Sequence, residues 1–319
     1  MSKMKYGIIG CGVIAKRFST ALAKSATSEL YACAARDKDR AEAFAKGNGA
    51  KVAYGSYEEL IADPEVDAIY IATIHNKHAK IAEMCINGGK PVICEKPFFV
   101  SGEEADRVIT LAKEKNVLIM EAFWTRMQPS YLKIKEWIKD GKIGDITMIY
   151  AAFAFCVPYN EQTKNSRLFL PETAGGALLD VGVYPYEYIT GIMEGEPEEF
   201  LYCVDRFRTG VDGSVAMIMK YPGCIATGLT SITATLDTNA EICGNNGRIK
   251  HYYFPGGKKA ELFNQQGEIV ETFTDDEDEG FVYEVEHFTE LIRSGKKDSD
   301  MIPLKDVRAF AYQVDKILG

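Results

Sequence analysis

The chain has no apolar run long enough to cross a membrane, no C-x-x-C pair among its eight cysteines, and only four histidines in 319 residues. A membrane span needs about 20 consecutive apolar residues, so spanning is excluded as a reading. The cysteines fall mostly in apolar, strand-like runs, and the expectation is eight reduced thiols in a cytoplasmic protein. No set of His, Cys and carboxylates has structural-zinc spacing. His75 and His78 form a pair without a third ligand, so no metal is expected. Positive charge is also short. The net charge of −9 argues against nucleic acid or an anionic membrane as partner. Met1–Lys5 carries no signal-peptide core, and the apolar residues after it run straight into a fold motif.

What the sequence does have is alternation. From Tyr6 to Met120, short apolar runs alternate with helical patterns, the arrangement of a doubly wound parallel sheet. The pattern changes near residue 121. Helical patterns follow at 131–139 and 177–192, with a strand-like run at 146–155 and a loop at 159–175. Several strand-like runs separated by turn signals fill 199–274, which predicts a mostly antiparallel sheet. Two more helical patterns, 281–294 and 304–318, close the chain. The predicted fold class is α/β: an N-terminal Rossmann domain over 1–121 and a C-terminal α+β domain with an open sheet over 122–319. The last helix has two possible hosts.

Gly10-Cys11-Gly12-Val13-Ile14-Ala15 follows the first strand and opens the first helix. It fits G-x-G-x-x-G/A: a tight turn, a close approach for a pyrophosphate, and a small residue for helix–strand packing. The phosphates of a dinucleotide would lie on the free N–H groups of that helix. The second strand ends Ala34-Ala35-Arg36-Asp37. Ala35 stands where an NAD enzyme carries a carboxylate for the ribose hydroxyls, and Arg36 offers a planar fork to a 2′-phosphate, with Arg40 one turn on. NADP is expected, with NAD possible if Arg36 only stacks on adenine. Thr73, Asn76 and His78, at the end of the fourth strand, are candidate cofactor contacts, although packing suits His78 better. Glu95-Lys96-Pro97 ends the fifth strand, where ligands of open α/β sheets sit. It adds Glu95 and Lys96 to the cofactor set. Lys96 is also a candidate proton carrier.

Later come Gly175-Gly176-Ala177-Leu178-Leu179-Asp180 and Tyr184. On one continuous helix Asp180 and Tyr184 share a face. Either Tyr184 or Lys96 would exchange the proton of a substrate hydroxyl, and Asp180 would orient Lys96. Trp124, Arg126, Phe153 and Phe155 are candidates for the wall of a sugar-like substrate. The alternation of Phe153 and Phe155 with Ala152 and Ala154 favours a core role for the two phenylalanines.

The order and spacing of Gly10-Cys11-Gly12, Glu95-Lys96-Pro97 and Gly175–Asp180 resemble the glucose–fructose oxidoreductase/inositol dehydrogenase family over essentially the whole chain. Tyr184, where many members have histidine, and Glu121-Ala122-Phe123-Trp124-Thr125-Arg126-Met127-Gln128-Pro129 are similar to the dihydrodiol dehydrogenase/D-xylose dehydrogenase branch. The resemblance implies NADP-dependent hydride transfer to or from a sugar, cyclitol or trans-diol, with Lys96 and Asp180 in the active site. It also implies a cis Lys96–Pro97 bond and a homodimer or homotetramer joined through the C-terminal sheet. A non-catalytic dinucleotide-binding regulator and an NAD-dependent oxidoreductive glycosidase are the competing readings. The complete set of Lys96, Asp180 and Tyr184 speaks against the first, and Arg36 with Tyr184 against the second.

Overall fold

The structure, a computed structural model, describes residues 2–319. It divides into two compact units, Met1–Phe123 with Asp278–Ala311, and Trp124–Glu277 with Tyr312–Gly319.

The first unit is built on a parallel sheet of six strands: β1 (Met4–Ile9), β2 (Ser28–Ala34), β3 (Val52–Tyr54), β4 (Ala68–Ile71), β5 (Val92–Glu95) and β6 (Ile119–Ala122). Their order is β3-β2-β1-β4-β5-β6. Strands β4, β5 and β6 are buried at every residue, as a parallel sheet covered on both faces requires. The helices between them are α1 (Val13–Lys24), α2 (Lys38–Asn48), α3 (Tyr57–Ala62), α4 (His78–Asn87) and α5 (Gly102–Lys115). Local chemistry sets their starts. Ser56 accepts from the Glu59 amide and Ser101 from the Glu104 amide, with acidic residues in both first turns. The strand order reverses between β1 and β4, and the crevice at such a switch point is where ligands of this topology bind.

The second unit holds α6 (Pro129–Lys139), β7 (Ile146–Ala154), α7 (Val183–Met193) and seven further strands. These are β8 (Glu199–Arg206), β9 (Asp212–Tyr221), β10 (Cys224–Ser231), β11 (Asn239–Gly244), β12 (Gly247–Tyr252), β13 (Lys259–Phe263) and β14 (Ile269–Thr274). With β7 they form one sheet in the order β14-β13-β12-β11-β7-β10-β9-β8. All its pairings are antiparallel except β7 with β10. On β7 the alternation runs opposite to a phenylalanine core. Ala152 and Ala154 are buried, whereas Phe153 and Phe155 are only half-buried and pack against a small core of Phe169, Ala177, Val181, Val211 and Ile232. Helix α8 (Phe281–Arg293) lies in the first unit, and α9 (Leu304–Leu318) runs from the first unit's residues into the second's.

The helix expected over 177–192 is not one continuous α-helix. Leu178–Gly182 form a π-helical turn, and α7 starts only at Val183. A π turn holds more residues than an α turn, so the i, i+4 rule that placed Asp180 and Tyr184 on one face does not apply through it. Such turns concentrate at functional sites. The loop expected over 159–175 contains two short 3-10 turns, Arg167–Phe169 and Pro171–Thr173.

Candidate active site

In the first unit the residues around the switch point are mostly backbone and small side chains. Gly10 sits at φ +97°, and a Cβ there would lie 2.7 Å from the Ala72 carbonyl oxygen. Only glycine lets the β1 turn pass so close to the end of β4. Gly12 caps α1, and a Cβ on it would meet no atom within 4 Å. The first turn of α1 carries no acidic residue, Val13 is 91% exposed, Ile14 is half-buried, and Ala15 is fully packed. Helix N–H groups with no acidic side chain in the first turn suit a pyrophosphate. Across the crevice the Thr73 hydroxyl oxygen is buried without a hydrogen-bond partner. Such an atom incurs a desolvation cost until something pairs with it. Asn76 lies in the 3-10 turn His75–Lys77 that follows. The residues present therefore fit a dinucleotide.

At the tip of β2, Arg36 is exposed and makes no hydrogen bond or ion pair among the described residues. The neighbouring carboxylate of Asp37 is committed elsewhere: it caps α2 by accepting from the Asp39 and Arg40 amides at 3.0 and 3.3 Å. Arg40 donates through Nε and Nη2 to the Cys11 carbonyl at 3.3 and 3.1 Å, which pins the glycine turn to α2.

The end of β5 is held by polar contacts. The Lys96–Pro97 bond is cis. Glu95 is buried and spends both oxygens within the protein, one accepting from the Tyr70 hydroxyl and the other from the Lys96 amide at 3.3 Å. Burial raises its pKa, opposed by the charge of Lys96 and the Tyr70 hydrogen bond. His78 is fully buried; Nδ1 lies 2.8 Å from the Pro97 carbonyl and Nε2 3.1 Å from the Thr73 carbonyl. Glu95 and His78, both candidates for the cofactor, brace the Lys96-Pro97 turn and the end of β4 through these bonds. Lys96 is half-buried at that turn.

The second unit gathers large side chains around Tyr184. The Trp124 indole N–H lies 3.4 Å from the Tyr184 hydroxyl oxygen, and Phe153 meets the Tyr184 ring edge-on at 5.2 Å between centroids. Gly256 makes room for the indole, since a Cβ there would fall 1.8 Å from it. Tyr253, which sequence reasoning missed, is 58% exposed and 6.4 Å from Phe153. It comes from the loop after β12, and no local pattern marks it. Asp180 is buried and accepts from Arg167 Nη2 at 2.6 Å. Arg167 was also missed, because the long loop that carries it has no periodicity. Arg126, a candidate wall residue, spends its guanidinium within the unit. It is 2% exposed and braces α7, with Nη2 2.7 Å from the Glu187 carboxylate, Nε 2.9 Å from the Glu187 carbonyl and Nη2 2.9 Å from the Thr190 hydroxyl.

The double glycine before Asp180 has a steric cause. A Cβ on Gly175 would lie 2.4 Å from the Arg167 carbonyl oxygen, and one on Gly176, at φ +111°, 1.9 Å from Asp212 Oδ1. Asp212 accepts from the Leu178 amide at 2.5 Å and so starts the π turn. Burial pushes its pKa up to about 6, against the pull of that backbone N–H.

Residues 4–123 match the description "Oxidoreductase family, NAD-binding Rossmann fold", and residues 131–250 match "GFO/IDH/MocA C-terminal domain". The chain belongs to the GFO/IDH/MocA oxidoreductase family. It is 35% identical to the trans-1,2-dihydrobenzene-1,2-diol dehydrogenase of Xenopus tropicalis, an alignment covering 98% of this chain and 97% of that protein. The human enzyme of the same name is 32% identical over 98% of this chain and 96% of its own length. A 3-ketoreductase from Actinomadura kijaniata, crystallised with NADP and TDP-benzene, superposes with a TM-score of 0.87 at 26% identity, over 99% of this chain and 97% of that one. Family membership, the parallel six-stranded sheet and the mostly antiparallel eight-stranded sheet agree with the expectations from sequence. Among the described residues no helix is long and apolar enough to cross a membrane, and no three or more His, Cys, Asp or Glu residues are grouped to hold a metal ion.

Proposed function

We propose that this chain is an NADP(H)-dependent dehydrogenase or reductase acting on a hydroxyl or carbonyl carbon of a sugar, cyclitol or trans-diol. The observation that carries the cofactor choice is Arg36: it stands open at the β2 tip, beside Ala35 rather than a carboxylate, while Asp37 is used up as a helix cap. The names of these proteins, a trans-1,2-dihydrobenzene-1,2-diol dehydrogenase and a 3-ketoreductase, support a hydroxyl or carbonyl carbon as the site of reaction.

When bound, the nicotinamide supplies or accepts the hydride. The chain does the rest. Gly10, Gly12 and the first turn of α1 receive the pyrophosphate, and Thr73 offers its orphaned hydroxyl to the ribose or nicotinamide. Arg36 takes the 2′-phosphate. Lys96 and Tyr184 are the two groups suited to exchange the proton of the substrate hydroxyl. Asp180, which accepts from Arg167, is the group proposed to orient Lys96. Trp124 and Phe153 fix the Tyr184 ring and offer an apolar face for a sugar or diol ring. The reading also includes self-association through the exposed side of the second sheet. Leu201, Ile218, Ile225 and Met148 are there 61, 43, 46 and 56% exposed. A monomer mass by light scattering would dismiss that part.

The deciding experiment follows reduced-nicotinamide absorbance after NADP or NAD is mixed with pentoses, hexoses, inositols and trans-diols. Turnover with NADP and at least one of these is expected. Binding of NADPH without turnover on any of them, or on the matching carbonyls in reverse, would favour a regulatory protein.

A further inference from the structure

Among the described residues, Asn116, Ala174, Glu194 and Tyr253 have a positive φ without being glycine. The first three close helical segments, where a left-handed residue satisfies the last carbonyls. Tyr253, at φ +49°, instead follows the end of β12 and is the aromatic one of the set. A bulky side chain in that region is a real outlier, and glycine or asparagine would turn the chain at less cost. Burial returns little of this cost, since Tyr253 is 58% exposed. No hydrogen bond explains the ring's position either, because its hydroxyl makes none among the described residues.

The surrounding chain enforces the conformation. The Tyr253 amide donates to the Thr238 carbonyl at 2.8 Å, and its carbonyl accepts from the Gly256 amide at 3.2 Å. Phe254, next in sequence, is fully buried, its ring 4.8 Å from that of Tyr188. The Pro255 carbonyl accepts from the Thr125 hydroxyl at 2.5 Å, and Gly256 lies against the Trp124 indole. With both flanks fixed, the turn sets the Tyr253 ring beside Phe153, 6.4 Å between centroids at 64°. Tyr184 meets the same Phe153 ring at 5.2 Å and 68°. Phe153 is thus shared by the phenol proposed for proton exchange and by a second phenol held there under strain. Strain maintained by over-determining surroundings is concentrated at ligand sites.

We propose that Tyr253 is a specificity-determining residue of the substrate site, selecting vicinal diols closed into a ring over open-chain ones. The inference rests on the reading of the aromatic group around Tyr184 as that site. A closed ring offers a continuous apolar face to Phe153 and Tyr253. A flexible chain must give up rotational freedom to present the same carbon atoms.

The test titrates the full chain, with NADPH present, with trans-1,2-cyclohexanediol and with hexane-3,4-diol, the open-chain vicinal diol of equal carbon number. Saturation-transfer NMR follows the binding. NADPH cannot oxidise either diol, so binding is read without turnover. The ring diol should bind more tightly, with saturation strongest on its ring CH2 protons. Tyr253→Asn keeps a residue that tolerates the left-handed region and removes the aromatic ring. It should weaken the ring diol by about tenfold, the worth of one aromatic contact with its buried area, and change hexane-3,4-diol far less. Its melting temperature should hold or rise as the strain is relieved. Tyr253→Phe should keep the preference for the ring. Equal losses for both diols, an unchanged preference in Tyr253→Asn, or no binding of either diol overturns the proposal. A lower melting temperature with the preference intact also overturns it, by assigning Tyr253 to the fold. Turnover is read separately with NADP. Ring-selective binding that depends on Tyr253, without any absorbance change across the whole panel of sugars, inositols and diols, contradicts the dehydrogenase reading and leaves the selection standing.

Discussion

The glycine turn of the first unit and the aromatic group of the second present themselves to a ligand in opposite ways. At Gly10 and Gly12 the surface is backbone, shaped by what is missing: no Cβ, no acidic residue in the first helical turn, no carboxylate at the β2 tip. Around Tyr184 the surface is side chain, shaped by what fills it: Trp124, Phe153 and Tyr253 above, Arg126 and Glu187 bracing α7 from within. A backbone site is made by local conformation and tolerates no added atom. A side-chain site is made by contacts distant in sequence and tolerates change in proportion to how each group is braced.

The contrast is sharpest at the two glycines. Gly10→Ala combines a positive φ with a clash against Ala72, and strain of about 1–3 kcal/mol should translate into NADPH affinity lower by on the order of a hundredfold. Gly12→Ala adds a methyl to open space at an ordinary φ of −102°, so thermal stability should hold while affinity drops by about tenfold. Fluorescence titration and melting curves of both variants check this. Equal affinity for Gly12→Ala and the unaltered chain would detach the phosphates from the turn.

Arg36→Ala should raise the KM for NADP(H) by about tenfold or more, the worth of a charge-assisted hydrogen bond, and leave the KM for NAD(H) nearly unchanged. Equal effects on both would reject Arg36 as the reader of the 2′-phosphate.

The smallest expected effect is on stability in the second unit. Asp212 is raised from 3.8 to about 6, so from about pH 4 to about pH 6 the unfolded chain loses its proton first and stability falls as pH rises. His251, fully buried between Ser130 and Tyr188, runs the other way. Burial lowers its pKa from 6.5 to about 4, so stability falls as pH drops through that window. The two contributions oppose each other below pH 6. Asp212→Asn removes the first, worth at most about 3 kcal/mol. Its stability should therefore decline more steeply with acid than that of the unaltered chain. Urea midpoints at neutral and mildly acidic pH measure the difference. Parallel pH dependences would place Asp212 outside this balance.

How much the sequence reveals follows the same division. The first unit could be read almost element by element, because buried parallel strands are continuous apolar runs, Ser56 and Ser101 mark helix starts, and Gly10 is dictated by its own φ. In the second unit the mostly antiparallel character was legible from turn signals, but the strand count and three further features were not. The π turn at Leu178–Gly182 depends on Asp212, which reaches it from β9, and the helical period alone cannot register that. Arg126 carries a residue type common at ligand sites, yet its partners Glu187 and Thr190 bury it. The pairing of Arg167 with Asp180 joins a loop without periodicity to a glycine-rich turn. In the first unit the packing role that the sequence favours for His78 agrees with its burial, whereas the contact of Glu95 with the Tyr70 hydroxyl comes from a different strand and has no local signal.

The most direct test of the account is Lys96→Ala, assayed for NADPH binding and for turnover with a saturating substrate from the panel. The residues proposed to hold the phosphates are others, so binding should persist while turnover falls by at least about a thousandfold, within the range general acid–base groups contribute. Undiminished turnover would contradict the assignment of Lys96 to the chemistry.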